Sequence, residues 1–225
     1  MDYDTAVSIT GSLSKPSKMP GYSYGLPAGK ALWVNRENPI IKSAGCNVGG
    51  KLHSIKGTTC ASCYALKGNY TFKNVRAAQQ KRLEGVHNPL WTEAMVDMLY
   101  LTIDPKEPWF RWHDSGDILG LWHLVKIVEV CRQTKYIRHW LPTREASVVK
   151  EYLDTYGEFP GNLTVRISAV AIDGRPYKWY DITSTVHSKK EPIGNICPAP
   201  KQNNECGECR NCWKRSIANV SYHKH

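Results

Sequence analysis

Seven of the eight cysteines fall into two groups with the spacing of metal ligands, and this feature constrains fold and chemistry more than any other. The groups are Cys46-x13-Cys60-x2-Cys63 and Cys197-x8-Cys206-x2-Cys209-x2-Cys212. In a C-x2-C pair, two thiolates converge on one metal from a single tight turn. The N-terminus lacks the basic and apolar regions of a signal peptide, so we expect a reducing cytoplasm, where clustered cysteines favour metal binding over disulfides. The remaining Cys131 is interpreted as a small core residue.

The first group supplies three thiolates, which leaves one position on its metal open. In zinc an open position marks a catalytic site, and in a [4Fe–4S] cluster it leaves one iron for a ligand that is not protein. A closed zinc site would need a fourth ligand, for which His53 is a candidate. We favour the iron–sulfur cluster at this group and keep zinc as the alternative.

The second group places four cysteines within sixteen residues near the C-terminus. Four thiolates saturate either a second [4Fe–4S] cluster or a structural zinc ion. The neighbouring cations Lys201, Arg210, Lys214 and Arg215 offset the negative charge of such a site.

Length and composition bound the remaining possibilities. The chain has 225 residues, which suits one domain with a small appendage. It contains no apolar run of the roughly 20 residues that a membrane span needs. Its formal net charge of +10 is compatible with a polyanionic partner such as a nucleotide or nucleic acid, although an ordinary basic protein has the same charge.

Hydrophobic periodicity predicts strands and helices in alternation from about residue 109 onward. Helices are predicted at 74–84, 91–101, 121–132 and 146–156, and strands at 31–34, 109–112, 136–141, 163–170 and 181–186. Alternation of this kind is typical of parallel β/α units. We therefore predict an α/β fold, a partial (open) parallel β/α barrel with a cysteine-rich C-terminal extension. The predicted parts are an irregular lead-in (1–45), the partial-barrel domain (46–190) and the metal-binding extension (191–225).

One polar motif follows a predicted strand at the position where α/β folds place their sites. The stretch His113-Asp114-Ser115-Gly116-Asp117 ends the strand at 109–112. His113 and Asp114 are candidates for proton transfer. The alternative is that Ser115 or Asp117 caps the next helix.

The order of these motifs resembles the radical SAM superfamily. Its members carry three cysteines in a loop after the first barrel strand, with an aromatic residue beside the C-x2-C pair, here Tyr64. The first cysteine gap is longer here than is usual in that superfamily. The chain also resembles small cysteine-rich phage gene products that share the stretches at 60–65 and 113–117.

The resemblance implies a [4Fe–4S] cluster that binds S-adenosyl-L-methionine (SAM) and cleaves it after reduction, with a reductant protein as partner. It implies contacts to SAM by these residues: Tyr64, Ser115, Gly116, Asp117, Arg144, Arg166 and Ser168. The substrate would be a nucleotide or nucleic acid, in the cytoplasm of a phage host. Two further functions stay open from the residues alone. One is a zinc-stabilised nucleic-acid-binding protein without catalysis, and the other is a metal-dependent nuclease that uses His113, Asp114 and Asp117.

Overall fold

A seven-stranded parallel sheet organises the described part of the chain. The computed structural model describes residues 1–29 and 45–224. The strands are β1 (Tyr22–Tyr24), β2 (Trp109–Trp112), β3 (Arg138–Thr143), β4 (Leu163–Ile172), β5 (Thr183–His187), β6 (Asn195–Ile196) and β7 (Asn219–His223). The sheet order is β1-β2-β3-β4-β5-β7-β6, and every strand pairing in it is parallel. Strands β1 to β5 follow chain order, as in an open β/α barrel.

Helices connect the strands. They are α1 (Tyr3–Thr10), α2 (Asn47–Leu52), α3 (Lys73–Val86), α4 (Trp91–Thr102), α5 (Leu121–Gln133) and α6 (Ala146–Tyr156). Between α2 and α3 the chain runs through short 3-10 turns that contain Cys60. The predicted α/β fold with a parallel sheet is confirmed. No helix within the described residues is long and apolar enough to cross a membrane.

The two faces of the sheet differ because successive side chains of a strand point to opposite sides. One face carries Phe110, Trp112, Leu141, Val165 and Ile167, which are buried in the main apolar core. Helix α5 completes this core with its periodic apolar residues. The opposite face carries Arg111 and Trp140, which pair in register. It also carries Arg166, which pairs with Pro142, two residues after Trp140. This second face is polar and aromatic, and the C-terminal cysteine segment lies against it.

The predicted elements agree with the structure best where the apolar period is strong. The strand at 109–112 and the helix at 146–156 have the predicted bounds, and the helices at 74–84, 91–101 and 121–132 differ by one or two residues at their ends. The strand predicted at 136–141 was expected to stop at Pro142, but β3 continues to Thr143. Pairing of β3 with β2 ends at Trp140, so the missing N–H of Pro142 does not interrupt that ladder.

The expectation of an irregular lead-in over 1–45 is wrong for its described part. Helix α1 begins there, and the Asp2 side chain caps it by accepting a hydrogen bond from the Thr5 amide (2.8 Å). The first strand of the sheet is β1, which was not predicted from the sequence. The strand predicted at 31–34 lies outside the described residues.

Candidate metal centre

The three-cysteine loop lies at the carboxyl edge of the sheet. Its turn residues contact the end of β4, where Thr58 forms a bridge with Ala171 and the Ile172 amide donates to the Gly57 carbonyl (2.8 Å). The Arg144 guanidinium, just beyond β3, donates to the Thr59 hydroxyl. Open α/β sheets place their ligands at this edge.

Gly49 leaves a space between two of the thiols. It lies one turn after Cys46, at the start of α2. A Cβ built on Gly49 would stand 2.7 Å from the Cys46 Cβ, 3.5 Å from the Cys46 Sγ and 3.6 Å from the Cys60 Sγ. Any larger residue would therefore collide with the Cys46 side chain and contact both sulfurs. In donor type, the three thiols fit a thiolate-bound metal group.

Burial favours the neutral form of two thiols of this group, Cys46 and Cys60. Burial raises the pKa of Cys46, and Asp117 and the other two thiols raise it further. Burial also raises the pKa of Cys60, which Arg144 counteracts and Cys63 increases. The three thiols thus lie close enough to influence one another. Metal ligation requires thiolates, so a metal bound at these cysteines would release protons.

No group of three or more His, Cys, Asp or Glu side chains in residues 1–29 and 45–224 is arranged to hold a single metal ion. The metal ligands named from the sequence therefore remain predictions.

The Ser115-Gly116-Asp117 turn is tied to the chain that follows β1. The Ser115 hydroxyl donates to the Leu26 carbonyl (2.6 Å) and accepts from Gln79 Nε2 (2.7 Å). Gly116 has a φ of +74°, and a Cβ there would stand 2.7 Å from the Leu26 Cβ. Only glycine adopts this conformation in so little space without strain.

Asp117 joins the carboxyl ends of β2 and β3. Its Oδ1 accepts from the Thr143 hydroxyl (2.6 Å) and the Ile118 amide (2.8 Å), and its Oδ2 accepts from the Arg144 amide (2.9 Å). Burial raises the pKa of Asp117, and these three donors act against the shift. Helix α5 begins four residues later with Gly120 as its N-cap residue, so Asp117 does not cap it.

His113 and Asp114 lie side by side at the end of β2 in different surroundings. His113 has a φ of +54°, and neither of its ring nitrogens has a partner among the described residues. Burial lowers the pKa of His113 to about 3, with Arg111 acting in the same direction. A pKa this low does not suit a general base near neutral pH.

Two tyrosines that follow Cys63 in the chain, Tyr64 and Tyr70, form hydrogen bonds to Asp114. Tyr70 donates its hydroxyl proton to Asp114 Oδ2 (3.0 Å), and Tyr64 donates to the Asp114 carbonyl (2.5 Å). Tyr64, predicted from its place beside Cys63, thus connects the cysteine loop to the end of β2. The low pKa of His113 and the different partners of Asp114 and Asp117 do not favour a nuclease that uses these three residues together.

Arg144 and Ser168 lie near the cysteine loop. The Arg144 guanidinium donates to the Ser168 carbonyl (3.5 Å) and to the Ala169 carbonyl, besides Thr59. The Ser168 hydroxyl pairs with the Ser184 hydroxyl on β5 (3.0 Å). Arg144 therefore fixes the cysteine loop onto β4.

Arg166 instead contacts the segment that carries the four C-terminal cysteines. It is fully buried and donates to five backbone carbonyls, those of Thr183, Asn211, Cys212, Lys214 and Ala218. Its nitrogens are thereby occupied by β5 and the C-terminal segment. These contacts disfavour the expected role in binding SAM, because that role would need free donors on the guanidinium.

The four C-terminal cysteines are likewise brought together. Burial raises the pKa of Cys206, the Cys197 thiol raises it further, and Arg111 counteracts both. Burial raises the pKa of Cys212 to about 12, although the Tyr222 hydroxyl 3.1 Å from its sulfur lowers it. The Cys206 amide donates to the Lys18 carbonyl (3.0 Å), which ties this segment to the chain before β1.

Arg111 connects the surroundings of the two cysteine groups. Its guanidinium donates to the Tyr64 hydroxyl (3.2 Å), lies 4.6 Å above the Trp140 ring, and acts electrostatically on Cys206. Its Nε is buried and has no partner among the described residues. Arg111 therefore contacts the segment that carries Cys60 and Cys63 and acts on one cysteine of the other group.

A family model described as Gene product 88 matches residues 4–215, a span that contains both cysteine groups and the strands β1 to β6. The chain belongs to the Gene product 88 family. The match confirms the resemblance to phage-type gene products, while the radical SAM resemblance remains a prediction. No curated protein and no solved structure matches the chain.

Four residues important to the site of this Gene product 88 protein were not recognised from its sequence: Gly49, Thr59, Tyr70 and Arg111. Arg111 carried a usable signal, since a charged residue between the apolar Phe110 and Trp112 of a strand lies on the face opposite the apolar core. The others act through contacts between segments far apart in the chain, which no local pattern reveals.

Proposed function

We propose that this Gene product 88 protein is an iron–sulfur enzyme of radical SAM type, which reductively cleaves SAM to act on a nucleotide or nucleic acid. The observation that carries the proposal is the space beside Gly49, bordered by the Cys46 and Cys60 sulfurs at the carboxyl edge of a parallel sheet. The chain order of strands β1 to β5 supports it further.

Cys46, Cys60 and Cys63 would hold a [4Fe–4S] cluster through three of its irons and leave the fourth for SAM. When bound, the cluster supplies the electron for SAM cleavage, and the cofactors carry the radical chemistry. The protein's own residues position and shield this chemistry.

Three side chains organise the surroundings of the cysteine loop. Arg144 fixes the loop to β4, and Tyr64 fixes it to β2. Asp117 holds the ends of β2 and β3 together and keeps a carboxylate close enough to Cys46 to act on its pKa. A carboxylate there complements the charged amine of SAM, and the Asp117 oxygens still have acceptor capacity beyond their three donors.

The C-terminal cysteines would hold a second cluster or a structural zinc ion, since four thiolates complete either site. A reductant protein in the cytoplasm of the host would supply electrons. The alternative function is a zinc-stabilised nucleic-acid-binding protein without catalysis. The four C-terminal cysteines support it, because their segment is held by Arg166 and packs against the sheet through Trp213.

The metal content of a Gly49→Ala variant tests the proposal. Wild-type protein purified without oxygen should contain iron and acid-labile sulfide, and Gly49→Ala should lose most of the iron of the three-cysteine site because its Cβ would stand 2.7 Å from the Cys46 Cβ and displace that candidate ligand. Gly161→Ala is the matched control, since a Cβ there meets no atom within 4 Å. Stoichiometric zinc without iron, in protein made with ample iron and sulfide, would contradict the proposal and favour the alternative.

A further inference from the structure

The positive charge of the protein is concentrated around the three-cysteine loop. Residues 45–83 contain seven Lys and Arg and no Asp or Glu, so this stretch carries most of the formal net charge of +10. Within it, Lys56, Lys67 and Lys73 are exposed, and none forms a salt bridge with a described residue. Their charge is therefore available to a partner.

Aromatic side chains are exposed between these lysines. The Tyr64 side chain is 52% exposed, and that of Phe72 is 55% exposed. Large aromatic rings normally gain free energy by burial, so two exposed rings in one short segment indicate a surface that a partner covers. Phe72 directly precedes Lys73, which places a ring and a cation side by side in the chain.

This surface belongs to the same segment as two of the candidate metal ligands. Residues 56–73 contain Cys60 and Cys63 and lie over the carboxyl ends of β2 to β4. A ligand held by the lysines and rings would therefore lie beside the three-cysteine site.

We propose that this segment, which we call the cysteine-loop surface (56–73), binds single-stranded nucleic acid and presents it to the three-cysteine site. The inference rests on the proposed function and names the substrate class of that site. Lysines neutralise backbone phosphates. Exposed rings stack on unpaired bases, whereas the bases of a duplex are already stacked on one another.

Binding of labelled oligonucleotides tests this assignment. Fluorescence anisotropy should show that the protein binds an oligo-dT strand of about 20 nucleotides with higher affinity than a duplex of equal length. The triple variant Lys56→Ala, Lys67→Ala, Lys73→Ala should bind about tenfold or more weakly, and its log–log salt slope should be shallower by about 2. Phe72→Ala should weaken single-strand binding about tenfold and leave the salt slope unchanged.

Matched controls come from the opposite edge of the sheet. Lys106, Lys135 and Arg138 are exposed cations at or before the amino ends of β2 and β3. Their triple alanine variant removes the same charge and should retain wild-type affinity. Tyr156→Ala, which removes a ring that is 52% exposed at the end of α6, is the control for Phe72→Ala.

Each contrary result overturns the assignment. Equal losses in both triple variants would show that net charge alone drives binding. Stronger binding to the duplex, or binding only to phosphatidylserine vesicles, would assign the surface to another partner. The assay uses neither SAM nor a reductant, so its failure is distinguishable from failure of the proposed SAM chemistry.

Discussion

At the scale of single residues, buried histidines link the stability of the protein to pH. His139 is fully buried between Phe110 and Trp112, where its ring bonds to the Thr134 hydroxyl (2.9 Å). Burial lowers the pKa of His139 to about 3. The folded protein therefore keeps this imidazole neutral at pH values where the unfolded chain takes up a proton.

The sign of the resulting effect follows from linkage. Between the ordinary pKa near 6.5 and the folded value, the unfolded state binds more protons, so stability falls as the pH falls. From about pH 7.5 to about pH 5.5, His139 should contribute a loss of about 1 kcal/mol to the free energy of unfolding. In His139→Leu, the free energy of unfolding measured with denaturant should fall over this pH range by about 1 kcal/mol less than it falls in the wild type.

The exposed His223 supplies the control. His223→Leu should keep the pH dependence of the wild type. Equal pH dependence in wild type and His139→Leu would show that His139 is not neutral in the folded state.

Glu145 acts in the opposite direction. Burial raises the pKa of Glu145 to about 7, so its contribution to the free energy of unfolding is lost as the pH rises through that value.

At the scale of elements, the C-terminal segment is built into the sheet more firmly than the cysteine loop. Trp213 packs against Trp109 and Trp140 with ring centroids 5.8 Å and 5.0 Å away, and its indole donates to the Phe110 carbonyl (2.9 Å). Strand β7 follows this segment and pairs with both β5 and β6. The four-cysteine group therefore lies in the chain between β6 and β7, two strands that pair with each other.

Cysteine substitutions should separate the two groups. Because a closed metal site contributes directly to folding, Cys206→Ala should lower the melting temperature by about 5 °C or more beyond the drop in Cys60→Ala. Thermal melts of anaerobically purified variants measure this difference. A larger drop in Cys60→Ala would instead assign the structural role to the three-cysteine loop.

Particular elements show how far the sequence predicts this fold. Helix α5 is evident because Leu121, Leu124 and Val128 repeat at the helical period. Strand β1 has only three residues among prolines and glycines, and its place in the sheet depends on pairing with β2, which lies more than eighty residues away. The alternating faces of β4 were predicted, but which partner Arg166 meets depends on the distant C-terminal segment.

The candidate site shows the same limit. Spacing alone predicts the cysteines as metal ligands, and the radical SAM resemblance adds Tyr64. The contacts of Asp117 with Thr143 and of Tyr70 with Asp114 join segments that only the folded sheet brings together.

At the scale of the whole molecule, the two cysteine groups, the cation Arg111 and the cysteine-loop surface belong to one arrangement. The polar sheet face carries the four-cysteine segment, and the carboxyl edge carries the three-cysteine loop with its exposed lysines and rings. Arg111 contacts Tyr64 on one side and acts on Cys206 on the other. This arrangement suits an enzyme that holds redox groups beside a bound anionic strand.

SAM cleavage tests the central claim most directly. Iron-loaded wild-type protein, reduced with dithionite and given SAM, should release 5′-deoxyadenosine, which chromatography detects. Cys60→Ala should release none, because it removes one of the three candidate cluster ligands. Cys131→Ala should act like the wild type, since this cysteine is buried in the apolar core outside both groups. The absence of 5′-deoxyadenosine from iron-replete wild-type protein, or its equal release by Cys60→Ala, would contradict the account.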